Sequence, residues 1–209
     1  MLRHRLAWAA LVVTLALLVG IRIWHVNQSQ LHIPVEHYNV GEEVDLDGAF
    51  LDDAKENTKG YYLTVSKAEV MDSDEYLARY APHADPSTIK NGSGDVLVLT
   101  YDVRNVGNDS GYLDMVSQMV IADDRTTFYT MDYDLWGASE PQLNGSTLAL
   151  VLKPNSSYTT HMPFSYIDIP KPFEKMLEDK NYCRRPIPGK AFELLVTNAP
   201  TNKVIDIQL

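Results

Sequence analysis

The sequence predicts an all-β fold, an antiparallel sandwich with short helical insertions, behind one N-terminal transmembrane helix. Three observations lead there. Residues 6–21 form an uncharged apolar run near the N-terminus. Beyond them, apolar and polar residues alternate with period two in segment after segment. Gly, Pro, Asn and Asp punctuate these segments about every ten residues, the spacing of a sandwich rather than of a parallel α/β sheet.

Composition bounds the function. The chain has 209 residues, 45% of them hydrophobic, enough for one sizeable core. Its net charge is −10, but Arg3, Arg5 and Arg22 lie in the first 25 residues, which hold no acid. The remainder carries fifteen Lys and Arg against 28 Asp and Glu, a net of −13. So acidic a domain repels phosphate, which argues against nucleic-acid binding and against lying flat on an anionic leaflet. Cys183 is the single cysteine, so no internal disulfide forms and no multi-cysteine zinc or redox site exists.

The elements follow in order. Residues 1–5 are a basic cytoplasmic leader, and residues 6–24 a signal anchor. Sixteen apolar residues span about 24 Å as a helix; counting through Trp24 gives about 28 Å, near the thickness of a bilayer core. No Ala-x-Ala site and no lipobox cysteine follow, which favours an uncleaved anchor with the N-terminus inside. Residues 25–40 read as a stalk and residues 41–209 as the domain.

In GYYLTVSKAEV (60–70), Leu63 and Val65 share a parity that Ala68 and Val70 reverse. One extra residue near Ser66 and Lys67 restores the register, so a β-bulge is expected there. Residues 73–80 read as a short helix with Ser73 as its cap. GDVLVLTYDVRNVGN (94–108) is the spine strand: Leu97, Leu99, Tyr101 and Val103 face one way and Val96, Val98, Thr100, Asp102 and Arg104 the other. It is expected to leave the core at Asn105 and to lie between the bulged strand and residues 113–121, read as one long strand. Asp123, Asp124 and Arg125 make a hairpin turn, with a return strand over 126–131. Residues 132–145 read as an aromatic loop. Leu148, Leu150 and Leu152 form an inward face, and Lys153, Pro154 and Asn155 a turn. Residues 158–166 alternate cleanly, with Pro163 marking an edge or bulge. Residues 172–179 suit a helix opened by Pro172, and 191–197 and 204–209 are the last strands.

Four of these features together resemble a family of bacterial extracytoplasmic immunoglobulin-like domains of unknown function, found in Gram-positive membrane-anchored proteins and lipoproteins. They are the YYLTVSKAEV strand, the GDVLVLTYDVRNVGN segment with its N-x-G end, the Leu152–Pro154 turn before an alternating strand, and the C-terminal strand. Asn155 stands where the family usually has Gly, and the lipid-carrying cysteine of its lipoproteins is missing. The resemblance implies an immunoglobulin-like sandwich outside the membrane, and no reaction or ligand.

The candidate binding residues are Tyr129, Asp132, Tyr133, Asp134 and Trp136, because exposed aromatics beside carboxylates suit a sugar, a cationic peptide or a partner domain. Alternatively, Leu135 and Trp136 tuck over the open end of the sandwich. The acid pairs at Asp72/Asp74, Asp123/Asp124 and Asp132/Asp134 lack EF-hand spacing and read as solvated turns. His32, His37, His83 and His161 are scattered, with no H-x-x-x-H, and no G-x-S-x-G or nucleotide-binding glycine loop occurs. The N-x-S/T triplets at Asn27, Asn91, Asn108, Asn144 and Asn155 read as turn chemistry in a bacterium. No catalysis, cofactor or metal is expected. The expected role is a binding or interaction module at the cell envelope, with an accessory subunit of an envelope complex as the alternative and a hydrolase assembled from loops as a remote one.

Overall fold

A computed structural model describes residues 2–28, 32–85, 89, 93–141, 149–168 and 183–209. Two units result, residues 1–33 and 34–209. The first is helix α1 (Leu2–Gln28), whose stretch Leu11–Gln28 has a mean hydropathy of 1.5 and is unburied. It is long and apolar enough to be a membrane span or signal anchor.

In the second unit the strands are β1 (Val35–Asn39), β2 (Glu43–Asp45), β3 (Tyr61–Asp72), β4 (Asp95–Asn105), β5 (Leu113–Asp114), β6 (Met119–Ala122), β7 (Phe128–Met131), β8 (Ala149–Leu150), β9 (Ser156–Ser165), β10 (Ile167–Asp168), β11 (Cys183–Arg184), β12 (Ala191–Thr197) and β13 (Asn202–Gln208). Two short α-helices, α2 (Ser73–Tyr80) and α3 (Tyr133–Ser139), and one 3-10 turn, Ala54–Glu56, complete the described part of the unit. Nine strands form one mixed sheet in the order β1-β13-β12-β6-β7-β9-β4-β3-β2. β5 pairs with β8, and β10 with β11, as separate two-stranded ladders.

The architecture is mostly β as expected, but it is one sheet curled into a near-barrel, not two separate antiparallel sheets. Two features change the count. β7 and β9 pair only through Thr130–Ser165 and Met131–Phe164, which joins the two halves by a two-residue seam. β1 pairs parallel with β13, making the sheet mixed. At the opposite margin Lys203 on β13 donates from Nζ to the Asp45 carbonyl of β2 at 2.5 Å, and meets Glu36 of β1 at 3.2 Å. The inner faces of both halves share one core, from Leu63, Leu99 and Tyr101 to Leu194, Ile205 and Ile207, all fully buried.

β4 is the spine. It pairs with β3 along its full length and with β9 from Leu97 to Asn105. Residues 113–121 are therefore not its neighbour. That stretch breaks into β5 and β6 because the Asp114 side chain accepts the Val116 and Ser117 amides and makes a turn. Asn105 does not leave the core. It is fully buried, and its Nδ2 donates to the carbonyls of Asn108 (2.7 Å) and Leu152 (2.8 Å). The bulge falls where the parity change puts it, with the β3 register shifting between Val65 and Lys67. Asn155 adopts the left-handed conformation at φ 60°, as its turn requires.

Other expectations shift. The stalk boundary at residue 40 is too late, because Val35–Asn39 is hydrogen-bonded into the sheet. Asp72, not Ser73, caps α2, its carboxylate accepting the Asp74 amide. Residues 132–139, read as loop, fold into α3 behind an Asp132 cap. β9 lies inside the sheet order, yet β7 stops pairing at Phe164, so the missing N–H of Pro163 leaves no gap in the ladder. The helix expected over 172–179, Leu148, Asn91 and Asn144 lie outside the described residues.

The two halves of the outer sheet surface differ. Val96 and Val98 of β4 and Met71 of β3 point outward and are covered by Tyr76 of α2 and Leu135 of α3. Beside this contact His161 of β9 stacks on Tyr80 with centroids 4.1 Å apart, and its Nδ1 lies 3.2 Å from Thr100 Oγ1. Burial pushes the His161 imidazole below its ordinary value, against the pull of Glu140, Glu69 and Asp102. A histidine held neutral in the folded state binds fewer protons there than in the unfolded chain. Its contribution to stability is therefore present above about pH 6.5 and lost as pH falls below it. Denaturant titrations from pH 7.5 to 5 are expected to show a steeper loss of stability in the native protein than in His161→Gln. Equal slopes would show that His161 is not held neutral.

Candidate binding surface

The five residues expected to form a binding loop do not line one cleft. Tyr129 points inward from β7, is 3% exposed, and meets Phe192 edge to face at 5.9 Å. Asp132 is fully buried. It caps α3 by accepting the Leu135 amide, accepts the Ser165 hydroxyl at 2.7 Å, and takes Nε and Nη2 of Arg184 at 2.7 and 3.0 Å. Trp136 is buried, and its Nε1 donates to Thr160 Oγ1 at 3.2 Å. The Thr160 hydroxyl in turn donates to Glu140, which also accepts from Tyr158. Asp134 is half-buried in the first turn of α3, and Tyr133 alone is exposed. Leu135 and Trp136 are both buried, but not over the open end of a sandwich: Leu135 packs on the outer face of β3 and β4 and Trp136 joins the main core.

The sequence periodicity placed Asp132 next to aromatics and could not show its partner, because Arg184 is 52 residues away. The close approach needs Gly94 as well: a Cβ there would lie 2.5 Å from the Arg184 carbonyl oxygen. Both members of the pair have no side-chain exposure. Removing the Arg184 guanidinium leaves the buried Asp132 carboxylate without this counter-charge, at a cost of about 3–5 kcal/mol.

An open surface exists elsewhere, on the outer face of β1, β13, β12, β6 and β7. The inward residues of these strands are Phe192, Leu194, Val196, Val120, Ile205 and Ile207. The opposite parity is apolar too. Val204, Leu195 and Met119 are directly paired across three strands, and Ile121 pairs with Phe128 in the next row. None of these five belongs to the core clusters; Val204 is buried, Leu195, Met119 and Ile121 are half-buried, and Phe128 is exposed. Phe128 is 44% exposed and Val35, at the margin, 55%. A groove of about 330 Å³ runs between Val35, Val204, Leu195 and Ile121. Neither α2 nor α3 packs on this half, in contrast to the outer face of β3 and β4.

Charges rim the row. Glu193 pairs with Arg125, and Asp206 lies 3.1 Å from His37 Nδ1. Asp123 and Asp124 stand exposed at the tip of the β6–β7 hairpin. Asp124 accepts the backbone N–H of Thr126, the Thr127 hydroxyl and the Thr127 N–H, which pull its carboxyl down to about 2. The sequence carried a signal for this surface: Met119, Val120 and Ile121 are apolar at both parities, and so are Leu194 and Leu195. Among the described residues no three His, Cys, Asp or Glu are grouped so as to hold a metal ion. A second groove, of about 300 Å³, lies between the hairpin tip and Tyr166, Arg185 and Pro186, with Tyr129 in its wall.

Arg184→Leu is expected to destabilise the domain by about 3 kcal/mol or more, with Asp132→Asn, Arg184→Leu together costing less than the two single changes added. Chemical denaturation of the four proteins checks this; strict additivity would mean that the pair is not coupled.

No curated protein and no solved structure matches the chain. Its family is nonetheless defined, because one family profile covers residues 35–203, from β1 into β13. The chain belongs to the family described as Domain of unknown function (DUF5028).

Proposed function

We propose that the protein is a single-pass, membrane-anchored interaction module whose exported domain contacts another protein at the cell envelope and has no catalysis of its own. The observation that carries this reading is the outward apolar row of half-buried Leu195, Met119 and Ile121 with exposed Phe128, beside the buried Val204. The same sheet covers its other outward apolar patch with α2 and α3. Aligned apolar side chains left open on a soluble face suit a protein contact.

The orientation rests on the basic leader, Arg3 and Arg5, before the apolar stretch, and on the acidity of the rest of the chain. The immunoglobulin-like reading is supported by the two well-paired halves and by the first stretch of domain, which gives β1 to one half and β2 to the other. The resemblance in residues 60–209 carries the reading on to a Gram-positive envelope. Burial of Tyr129, Asp132 and Trp136 moves the balance from a small ligand in the aromatic loop toward an accessory subunit that docks on a partner.

A photo-crosslinking residue at Leu195 of the full-length chain, expressed in cells, is expected to give one discrete adduct with another envelope protein. The same residue at Ser66, on the exposed bulge of the other half, is expected to give none. Absence of a Leu195 adduct, or recovery of the intact protein in the cytosol after detergent-free fractionation, would overturn the reading.

A further inference from the structure

We propose that the occupant of the open sheet face is a basic protein segment, one that alternates Lys or Arg with aliphatic side chains. This rests on the reading of that face as a contact surface and names the partner's chemistry.

The first observation is charge. The apolar row is rimmed by Asp123, Asp124, Glu193 and Asp206, with Arg125 on Glu193 and Arg185 across the second groove from the hairpin tip. The Thr126 and Thr127 donors keep Asp124 ionised. The pairs already present do not cancel this field. Arg125 is 69% exposed and Glu193 27%, while His37 and Asp206 are 51% and 38% exposed. Exposed pairs of this kind are worth little, so an incoming cation can share or replace them. His37 supplies a charge only when protonated.

The second observation is the groove itself, whose wall sets Glu193 beside Val35, Val204, Leu195 and Ile121. An extended segment that alternates aliphatic and cationic side chains matches such a wall, apolar contact beside a carboxylate.

The same charges disfavour the other occupants. A second copy of this chain would bring the same four carboxylates against these four. An anionic lipid surface meets the same repulsion, reinforced by the net −13 of the exported part. A basic aliphatic segment satisfies the row and the rim together.

The test uses the full chain in phosphatidylcholine nanodiscs. The probes are two fluorescein-labelled decapeptides, one alternating Val with Lys and one alternating Val with Glu, read by anisotropy at low and at near-molar salt. The Val-Lys peptide is expected to bind, and the Val-Glu peptide not to. Leu195→Lys is expected to weaken binding at least about tenfold, and Ser66→Lys to change it less than about twofold, a gap of about 1 kcal/mol in binding. Asp206→Lys, at an exposed margin of the face, is a second variant should Leu195→Lys fail to fold. Equal binding of the two peptides, or an equal loss in the Ser66 and Leu195 variants, would overturn the proposal. If the peptide fails while the Leu195 photo-adduct to another protein persists, the basic partner is wrong and the interaction reading stands. If the adduct joins two copies of the chain, the occupant is a second copy and the proposal falls. If neither is seen, both readings fall together.

Discussion

The fold depends on β4 having two apolar faces over its first half. Leu97 and Leu99 point one way and Val96 and Val98 the other, and each such side chain is worth about 1.5–3 kcal/mol when buried. One sheet surface cannot bury both sets. The near-barrel takes the first set into its interior, and α2 and α3 cover the second. This requirement explains why short helices interrupt an otherwise β chain and why they sit together. It also explains why Tyr76 reaches across β9, its hydroxyl donating to the His161 carbonyl at 2.8 Å.

Polar contacts then fix what hydrophobic burial leaves loose. Burial alone holds a curled sheet with little directional preference. Asp132 with Arg184 ties the α3 cap, β9 and β11 at one point, and Lys203 links β13 to the β1–β2 margin. Each joins segments far apart in sequence, and each is buried enough that a wrong register leaves a charge without a partner. The two-residue seam between β7 and β9 lies beside the first of these contacts, through Ser165, so the weakest pairing in the sheet has a buried ion pair next to it. On the outer face of the other half the described pairs, Arg125 with Glu193 and His37 with Asp206, are partly exposed and weakly constrain the sheet.

Local features of the fold were legible where a local rule decides them. The bulge near Ser66 follows from a parity change within eleven residues. The β6–β7 hairpin follows from its Asp-Asp-Arg turn, the αL residue at Asn155 from its Pro-Asn pair, and β12 from clean alternation over 191–197. The misreadings have a common cause. Residues 132–139 lack the length of a typical helix and carry two carboxylates and three aromatic or aliphatic residues, so the stretch reads as an exposed loop. It becomes a helix because Asp132 caps it and Leu135 and Trp136 have a sheet surface to cover. Residues 113–121 look continuous because no glycine or proline interrupts them; the break comes from the Asp114 side chain competing for backbone amides. The five candidate site residues were chosen for composition, and three of them are buried for reasons that composition does not encode.

The sequence by itself determined the apolar N-terminal helix, the acidic balance of the remainder, the strand-rich character and most turn positions, because each follows from residue type within a short window. Tertiary structure decided which strands are neighbours, that the sheet curls on itself, and which apolar faces find cover. Those outcomes depend on pairs such as Asp132 with Arg184 and Lys203 with Asp45, whose partners are 52 and 158 residues apart. Periodicity shows that a strand has two apolar faces; it cannot show which of them another part of the chain will bury. On β4 the helices α2 and α3 do so, whereas neither of them packs on the outward apolar residues of β12 and β6.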